Sequence, residues 1–516
     1  MEFISIFNDV LGPVMRGPSS SHTAGSYRIG KIVRSLLGEE PSSVKFTFDP
    51  QGSYIKTYRQ QGADIAFAAG IMELPITDDR FPQALELADI KGIKIEFTSA
   101  PLEKADHPNT VKIQMTSRSG KQLSAAAKSV GGGVVLVYQI EDWFVNLTGK
   151  AYEILVECDK SAESQVIKLL TSDGLFMDTP VRQTRDNNVL LHVQRVSSLN
   201  SEVQTRIETL PGVKNIRTVS PVFFIQRGKS LFSGAEEMVA EAEKNDCSLG
   251  KIALVYESEL LGMTESETLE EMIKRFEIMK SSVYRGLDEK DVRMQLLEPS
   301  ARRIYNAEAE GKVAVGGIHT RAAARSMAVM HVNSSMGVVC AAPTGASSGV
   351  IPGVVVTLAE EKNLSEEETA AALFAASAVG LVVARRATFA AEVAGCQVEI
   401  GAAGAMAAAA VVEAAGGSAR QAVDAAAIAF QNVMGSVCDL IQGICEIPCH
   451  TRNAAAASSA FLCADLILGG YHNPVPLDET IDAVYAVGKM LPCELRCTAL
   501  GGIAVTPSAL ALHRLR

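Results

Sequence analysis

The sequence changes character at about Arg227, and this change limits the folds that the chain can adopt. Before it, short runs rich in β-branched and aromatic residues alternate with turns, as in Val44–Phe48, Val111–Met115 and Val134–Ile140, which is typical of strands. After it, apolar residues recur at helical spacing, as in Arg321–His331, and Ala and Gly are frequent. Small residues allow helices to approach closely. We therefore expect a strand-containing N-terminal part and a compact, all-α C-terminal part.

A second division is expected near residue 150. Between Ala151 and Gln226 the pattern predicts strand, helix, strand, strand, helix and strand, which is the ferredoxin-like order. This segment resembles an ACT-type regulatory module, although Asp159–Ala162 stands where such modules often carry a glycine-rich loop. A docking or dimerising module without a ligand is the alternative. The predicted domains are residues 1–150 (α+β), 151–226 (ferredoxin-like, ACT-type) and 227–516 (all-α, catalytic).

Charge and hydropathy exclude several classes of partner. The net charge of -11 argues against a nucleic-acid or anionic-membrane surface, which needs clustered Lys and Arg. Strongly apolar uncharged runs such as Thr369–Ala384 are shorter than the roughly 20 apolar residues of a membrane-spanning helix. Asp9 interrupts the first ten residues, so no secretory signal is expected. We expect a cytoplasmic protein that acts on a small molecule, without nucleic-acid or membrane partners.

The cysteines are the candidate ligands or nucleophiles. The chain has ten, and six of them lie between Cys438 and Cys497; without a secretory signal they are expected to be reduced thiols. Cys438 and Cys449 are eleven residues apart, which is not a familiar zinc or ferredoxin spacing. Three soft thiolates can nevertheless hold an iron–sulfur cluster and leave one iron open to a substrate oxygen. Spacing alone leaves metal ligation and catalysis both open.

The local contexts of these cysteines are more specific than their spacing. Three motifs surround them: Ala394–Glu399, Gly435–Asp439 and Glu446–Asn453. Other short motifs lie elsewhere in the chain: Gly17–Gly25, His107–Thr110, Ser129–Gly133, Asn333–Gly337 followed by Pro343–Thr344, and Leu495–Arg496 before Gly501–Gly502. Together, and in this order, they resemble the iron–sulfur-dependent L-serine dehydratases from Ile6 to about Leu510.

The resemblance implies a cofactor, a reaction and an oligomeric state. Cys396, Cys438 and Cys449 would bind one [4Fe–4S] cluster, whose open iron would act as a Lewis acid for the leaving hydroxyl. A positioned base would take the Cα proton, and serine would yield pyruvate and ammonia. In many bacteria the small domain and the helical domain look like separate subunits, whereas here they are fused. A homodimer is expected.

The resemblance also implies residues that contact the amino-acid substrate. Ser21 and His22 are the candidate catalytic residues, and the candidate substrate-binding residues are Ser19, Ser20, Thr23, Gly62, Asp64, Asn333, Thr344, Gly345 and Asn453. A helix-capping turn before Ala24 and a helix-start turn at Thr344 are the structural alternatives. Arg452 would either orient Cys449 or form an interdomain ion pair.

The remaining cysteines and three histidines are expected to be structural. The cysteines Cys340, Cys445, Cys463, Cys493 and Cys497 would pack as small apolar residues, with Cys445 and Cys497 as reserve ligands. The histidines are His319, His331 and His450.

Several positions depart from the family pattern. Gln61 stands where the family has the His of a His-Gly-Thr-Asp element, and an amide cannot act as a base. Leu440 stands where Pro is usual, and Cys497 where Glu is common. The chain ends without the C-terminal Cys of single-chain relatives, so a self-inhibitory plug is not expected.

These departures leave alternatives open. The enzyme could act on threonine or cysteine rather than serine, and a non-catalytic amino-acid sensor is a further alternative. No lysine lies in a context that suggests a pyridoxal-phosphate enzyme.

Overall fold

The computed structural model describes residues 3–103 and 105–515, and this part of the chain divides into two compact units. The first, here called the helical unit, comprises the residues up to Ser20, Gln60–Gly62 and the chain from Gly228 onward. The second, here called the mixed unit, comprises Ser21–Arg59 and Ala63–Arg227. Two N-terminal segments therefore belong to the helical unit, although the sequence had assigned residues 1–150 to one α+β domain. The boundary at residue 150 stays a prediction.

The N-terminal half of the chain contains most of the strands. In order, its elements are β1 (Val14–Arg16, in the helical unit), α1 (Gly25–Leu37), β2 (Pro41–Phe48), α2 (Ser53–Thr57), α3 (Ala63–Ile71), α4 (Ala84–Ile90), β3 (Lys94–Ser99), β4 (Thr110–Ser117), β5 (Gln122–Gly131), β6 (Val134–Ile140), β7 (Trp143–Leu147), β8 (Tyr152–Asp159), α5 (Glu163–Leu170), β9 (Val181–Arg185), β10 (Asn188–Arg195), α6 (Ser201–Glu208) and β11 (Val213–Val219).

Six of these strands form one sheet in the order β3-β2-β4-β5-β6-β7. Strands β2 and β3 are parallel, and the other neighbours are antiparallel. Phe46 and Phe48 of β2 pack with Phe67 of α3 in the core of this unit. The strands predicted at Val44–Phe48, Val111–Met115 and Val134–Ile140 are confirmed as β2, β4 and β6. The sequence pattern also predicts a strand at Ile93–Phe97 and helices at Ala24–Leu37 and Asp64–Gly70, which are confirmed as β3, α1 and α3.

Strand β5 was not predicted. It contains Ala125, Ala126 and Ala127, and alanine has a low preference for strands. Its side chains nevertheless alternate between buried and half-buried, because β4 and β6 pair with it on both sides. The glycine run Gly131–Gly133, for which the sequence predicts a turn, forms the turn between β5 and β6. All three glycines have positive φ there, at 111°, 59° and 82°, which residues with a Cβ adopt only at a cost.

A four-stranded antiparallel sheet follows, in the order β11-β8-β10-β9. Its elements appear in the predicted order, with α5 after β8 and α6 after β10. On one face, Ile154 and Val156 of β8 pack with Val166 of α5. On the other face, Leu155 and Leu190 belong to the core of the six-stranded sheet. The two sheets therefore share a core within the mixed unit.

The helical unit contains nearly all of the remaining elements. They are α7 (Ala235–Lys244), α8 (Leu249–Leu261), α9 (Glu265–Asp288), α10 (Ala301–Ala309), α11 (Ile318–Ser334), β12 (Val338–Cys340), α12 (Val350–Glu361), α13 (Glu366–Arg386), α14 (Ala391–Ala394), α15 (Ile400–Ala414), α16 (Ala419–Val433), α17 (Cys449–Leu468), α18 (Leu477–Met490) and α19 (Pro507–Leu510). The sequence pattern predicts helices at Ser233–Ala242, Leu269–Tyr284, Ser300–Glu308 and Arg321–His331, and these are confirmed as α7, α9, α10 and α11.

The all-α expectation for this region needs one correction. Strand β12 pairs antiparallel with β1, with Val14 opposite Cys340 and Arg16 opposite Val338. Three residues are too few for a periodic signal, and the partner strand lies more than 300 residues away in sequence. The pairing brings the N-terminal segment to the chain that leads into Thr344.

Two stretches of this unit are long and apolar enough to cross a membrane by length and composition alone. They are Glu366–Arg386 and Cys396–Ala414, and 78% and 89% of their most apolar windows are buried inside the protein. Buried core helices pass the same test.

Glu257 of α8 anchors the N-terminal segment to the helical unit. Its carboxylate accepts hydrogen bonds from Ser5 Oγ at 2.6 Å, Ile6 N at 2.8 Å and Phe7 N at 3.1 Å. Burial raises the pKa of Glu257 to about 7, and the hydrogen bonds oppose this shift. Arg275 of α9 donates to Leu11 O at 2.8 Å. Residues 5–11 are therefore held by buried polar contacts, upstream of the motif that begins at Gly17.

Candidate functional site

Five cysteines of the helical unit converge on one region. Cys396, Cys438 and Cys449 are only 2–3% exposed. The thiol of Cys438 interacts with those of Cys396 and Cys497, and the pKa of Cys438 is raised well above its usual range by these contacts and by burial. The thiol of Cys445 interacts with that of Cys449, and this contact together with burial raises the pKa of Cys445. The three predicted ligands are therefore accompanied by both reserve ligands.

The backbone explains why Cys396 and Cys438 lie together. Cys396 begins a short turn before α15, and Cys438 lies in the loop between α16 and α17. Gly395 has a φ of 77°, and a Cβ there would lie 2.6 Å from Ser436 O, so only glycine permits this approach. Gln397 Oε1 accepts from Gly435 N at 2.9 Å. The residues on both sides of Cys396 thus contact the loop segment that leads into Cys438.

Arg452, on the first turn of α17, bridges the ligand loops. Its Nη1 donates to Val437 O at 2.7 Å and lies 3.7 Å from Cys396 Sγ. Its Nη2 lies 2.9 Å from Asp439 Oδ1, and Asp439 Oδ2 accepts from Ile503 N at 2.9 Å. Arg452 therefore contacts Cys396, whereas the sequence had paired it with Cys449, and it also forms an ion pair. That ion pair lies within the helical unit, so the interdomain alternative is wrong.

The loop after β12 packs against the start of α17. Asn453 Nδ2 donates to Ala346 O and to Cys449 O, both at 2.8 Å, and its Oδ1 accepts from Gly349 N at 3.2 Å. Thr344 Oγ1 lies 3.1 Å from Ser347 Oγ. Asn453 thus ties the loop that carries the candidate substrate-binding residues Thr344 and Gly345 to the turn that carries Cys449. Three backbone groups occupy its amide.

The segment that follows Gly17 meets the same loop. Asn333 Nδ2 donates to Pro18 O at 3.1 Å. A Cβ on Gly345 would lie 3.1 Å from Ser20 N, so the loop can approach the backbone of Ser20 closely. Ser20 is buried and Ser19 is half-buried. The predicted residues Ser19, Ser20, Asn333, Thr344 and Gly345 therefore belong to one neighbourhood of the helical unit.

The remaining predicted catalytic and substrate-binding residues are divided between the two units. Gly62 belongs to the helical unit, whereas Ser21, His22, Thr23 and Asp64 belong to the mixed unit. Asp64 is buried; its Oδ1 accepts from Ile65 N at 2.9 Å, and burial raises its pKa.

His22 is held among hydroxyl groups inside the mixed unit. Its Nδ1 lies 3.1 Å from Ser21 Oγ, and its Nε2 lies 3.0 Å from Thr57 Oγ1 and 3.4 Å from Ser53 Oγ. The ring of Tyr54 packs edge-on at 5.2 Å. Burial lowers the pKa of His22 to about 3. The imidazole is therefore neutral in the folded protein at neutral pH.

This neutral state predicts an acid-dependent loss of stability. Below about pH 6.5 the unfolded chain binds a proton at His22 that the folded chain does not bind. The free energy of unfolding should therefore fall by about 2.5 kcal/mol through this group between pH 7 and pH 4.5 and stay constant above pH 7. Urea unfolding at the two pH values should show that His22→Asn loses this difference. The exposed His472→Asn should keep it, and an unchanged difference in His22→Asn would contradict the assignment.

Gln61 lies in the helical unit, where the family pattern has a histidine. It is buried, and its Nε2 lies 3.5 Å from Gly443 O. Gly443 belongs to the loop between Cys438 and Cys445. The side chain that departs from the family pattern thus contacts the loop that carries the candidate ligands.

Glu399, Ser347 and Asp439 were missed as site residues. Glu399 is half-buried, and its pKa is raised well above the usual range, chiefly by burial and then by Cys396. The Thr344 hydroxyl forms a hydrogen bond with its carboxyl group. One signal was available, since Glu399 follows Cys396 by three residues, which places both on one side of a helical turn.

The chemistry of the donor atoms tests whether the site fits the predicted cofactor. Within residues 3–103 and 105–515, no three His, Cys, Asp or Glu side chains lie close enough to bind one metal ion. The converging side chains are mostly soft thiols, which suit iron–sulfur clusters. The donor set is therefore compatible with the predicted cofactor.

The chain matches the serine dehydratase alpha chain family over residues 225–504, which is more than half of its length. The chain belongs to this family. All five converging thiols, as well as Thr344, Glu399 and Arg452, lie within the matched residues.

Individual members of the serine dehydratase family match different parts of the chain. It is 35% identical over 284 residues to the probable L-serine dehydratase alpha chain of Bacillus subtilis, covering 55% of this chain and 95% of that protein. It is 40% identical over 156 residues to the corresponding beta chain, covering 30% and 69%. The L-serine dehydratase of Helicobacter pylori strain J99 is 30% identical over 286 residues, covering 53% and 62%. One polypeptide thus contains stretches similar to both chains.

Proposed function

We propose that this protein is an L-serine ammonia-lyase that converts L-serine to pyruvate and ammonia with a [4Fe–4S] cluster. The observation that carries the proposal is the convergence of Cys396, Cys438 and Cys449 beside Thr344 and Glu399 in the family-matched region. The names of the relatives support serine as the substrate.

Cys396, Cys438 and Cys449 would hold the cluster, and Arg452 would orient Cys396 and the Val437–Asp439 loop. When bound, such a cluster with three protein ligands supplies a Lewis-acidic iron. The donor set supports this assignment, because the three thiols are buried and the residues on both sides of Cys396 contact the loop that carries Cys438.

The remaining residues would bind the amino acid and move protons. The Thr344 hydroxyl and the loop at Gly345 would bind the carboxylate, and Asn453 would position that loop. Because its pKa is raised, Glu399 can keep a proton at pH values where an exposed carboxyl group has lost it. We therefore propose that Glu399 gives this proton to the departing hydroxyl.

The proposed catalytic pair is Ser21 and His22. A neutral imidazole offers a lone pair to the Cα proton, which the charged form lacks. Further proposed substrate contacts are Ser19, Ser20, Thr23, Gly62, Asp64 and Asn333.

An anaerobic assay of the full chain with serine, threonine and cysteine tests the substrate. We expect the 2-oxo acid from serine to form with the largest kcat/KM. Turnover of threonine or cysteine without turnover of serine would show that the enzyme acts on a different β-substituted amino acid. The replacement of the family histidine by Gln61 is the reason for testing this alternative. An iron and sulfide content near zero, together with no turnover, would favour an amino-acid sensor.

The β8–β11 segment supports a further proposal about organisation. Its strand order and its two helices are those of the ferredoxin-like plan, and we propose that it is an ACT-type module in a cytoplasmic homodimer. Light scattering that shows only a monomer would reject the dimer.

A further inference from the structure

Cys497 lies beside Cys438 because their backbones pair. Cys438 N donates to Leu495 O and Cys497 N donates to Cys438 O, both at 2.8 Å, so that Cys438 and Arg496 form a parallel bridge. Paired backbones lie about 4.8 Å apart. A disulfide requires Cα atoms about 4.4–6.8 Å apart. Cys497 directly follows the bridge partner of Cys438, and its side chain contacts that of Cys438. The two thiols therefore lie close enough for a disulfide to form.

The conformation of Cys497 is unusual for its residue type. Its φ is 62°, and that of Ala499 is 56°, a left-handed region that costs free energy for residues with a Cβ. The side chain of Cys497 contacts that of Cys438. A strained residue whose thiol meets a candidate ligand points to a role for that thiol.

A second pair of cysteines, Cys445 and Cys449, also joins a proposed ligand to a cysteine that is not one. Cys445 precedes Cys449 by four residues, and their thiols interact. In both pairs, one cysteine is a proposed ligand and the other is not. Cys396 differs, because Arg452 Nη1 also lies 3.7 Å from its Sγ.

We propose that Cys438–Cys497 is a disulfide-forming pair that closes when iron is absent, and that Cys445–Cys449 closes in the same way. The proposal rests on the proposed function only in treating Cys438 and Cys449 as cluster ligands. In each pair, one thiol first loses its proton; the thiolate then attacks a small-molecule disulfide and releases one thiol. The second thiolate then attacks the mixed disulfide and releases the other thiol. The protein pair loses two electrons and two protons, and the oxidant gains them.

The consequence is protection of the ligands. A lone exposed thiolate can proceed through sulfenic to sulfinic acid, which is normally irreversible, whereas a disulfide is restored by thiols. Two of the three ligands would survive loss of the cluster in a form that reduction returns.

The test uses the full chain, stripped of iron by a chelator under anaerobic conditions and then treated with glutathione disulfide. Free thiols are alkylated in denaturant, and peptides are mapped without reduction by mass spectrometry. We expect linked peptides 438–497 and 445–449, an alkylated Cys396, and about two molecules of glutathione thiol released per disulfide formed. Circular dichroism of the stripped protein confirms that it is folded.

Three variants make the result specific. Cys497→Ser should leave Cys438 outside any protein disulfide while the 445–449 link still forms. Cys497→Ala should do the same, which excludes an effect of the new hydroxyl. Cys493→Ser removes an exposed cysteine four residues away and should leave both links intact.

The proposal is overturned if Cys438 links to Cys396, or if Cys438 of the unaltered protein carries only glutathione. These outcomes are distinct from failure of the proposed function. Absence of iron in the protein purified anaerobically would contradict the cluster assignment. The disulfide proposal would still be tested, because the peptide map shows which cysteines are linked whether or not iron was bound.

Discussion

Replacing Cys449 with serine is expected to abolish cluster binding and to lower pyruvate formation from serine by at least about 10³-fold. Cys449 is the first residue of α17, and its backbone carbonyl accepts a hydrogen bond from Asn453 Nδ2. A Lewis-acidic metal contributes several kcal/mol to stabilising a leaving oxygen, and about 1.4 kcal/mol corresponds to a factor of ten in rate. Loss of one of three ligands should remove this contribution. Iron and sulfide content and the initial rate of 2-oxo acid formation measure the two effects.

Cys463→Ser is the matched control for this change. Cys463 is a fully buried cysteine of the same helix, but its thiol contacts Ser459 and Asn432 rather than the converging cysteines. It should keep its iron and most of its activity. A Cys449→Ser protein with full iron content and normal turnover would refute the ligand assignment.

Replacing Glu399 with glutamine should leave the iron content unchanged and reduce kcat by about 10²–10⁴-fold, the usual contribution of a positioned acid or base. The amide has nearly the same shape, so that the contact with Thr344 can persist. However, the amide N–H group is too weak an acid to protonate a leaving hydroxyl. The effect should appear in kcat more than in KM, because the proton moves in the transition state.

Glu413→Gln controls for the loss of a buried carboxyl group. Glu413 lies at the other end of α15, where it accepts from Gly250 N at 3.2 Å and where burial raises its pKa. This variant should retain kcat. Normal kcat in Glu399→Gln, measured with iron content equal to that of the unaltered protein, would exclude Glu399 from proton transfer.

Local patterns predicted most elements of the fold. Strands β2, β4 and β6 and helices α9 and α11 carry regular apolar periodicity, which depends only on nearby residues. Strand β5 was missed because its alanines have a low strand preference, and only its neighbours β4 and β6 make it a strand. The pairing of β1 with β12 was invisible because it joins two three-residue segments that are distant in sequence.

The site divides in the same way. Motif context identified Cys396, Cys438 and Cys449, and the structure brings them together. Glu399 was missed because its sequence motif did not reveal that burial and Thr344 surround its carboxyl group. Arg452 was left between two roles, and its contacts with both Cys396 and Asp439 could be seen only after the loops were folded.

The sequence by itself determined the family, the candidate ligands and the change from strands to helices at about Arg227, because these depend on residue identity and local spacing. Only the tertiary structure decided that residues up to Ser20 belong to the helical unit, that Cys497 lies against Cys438, and that Glu399 has a raised pKa. These features arise from burial and from contacts between residues far apart in the chain.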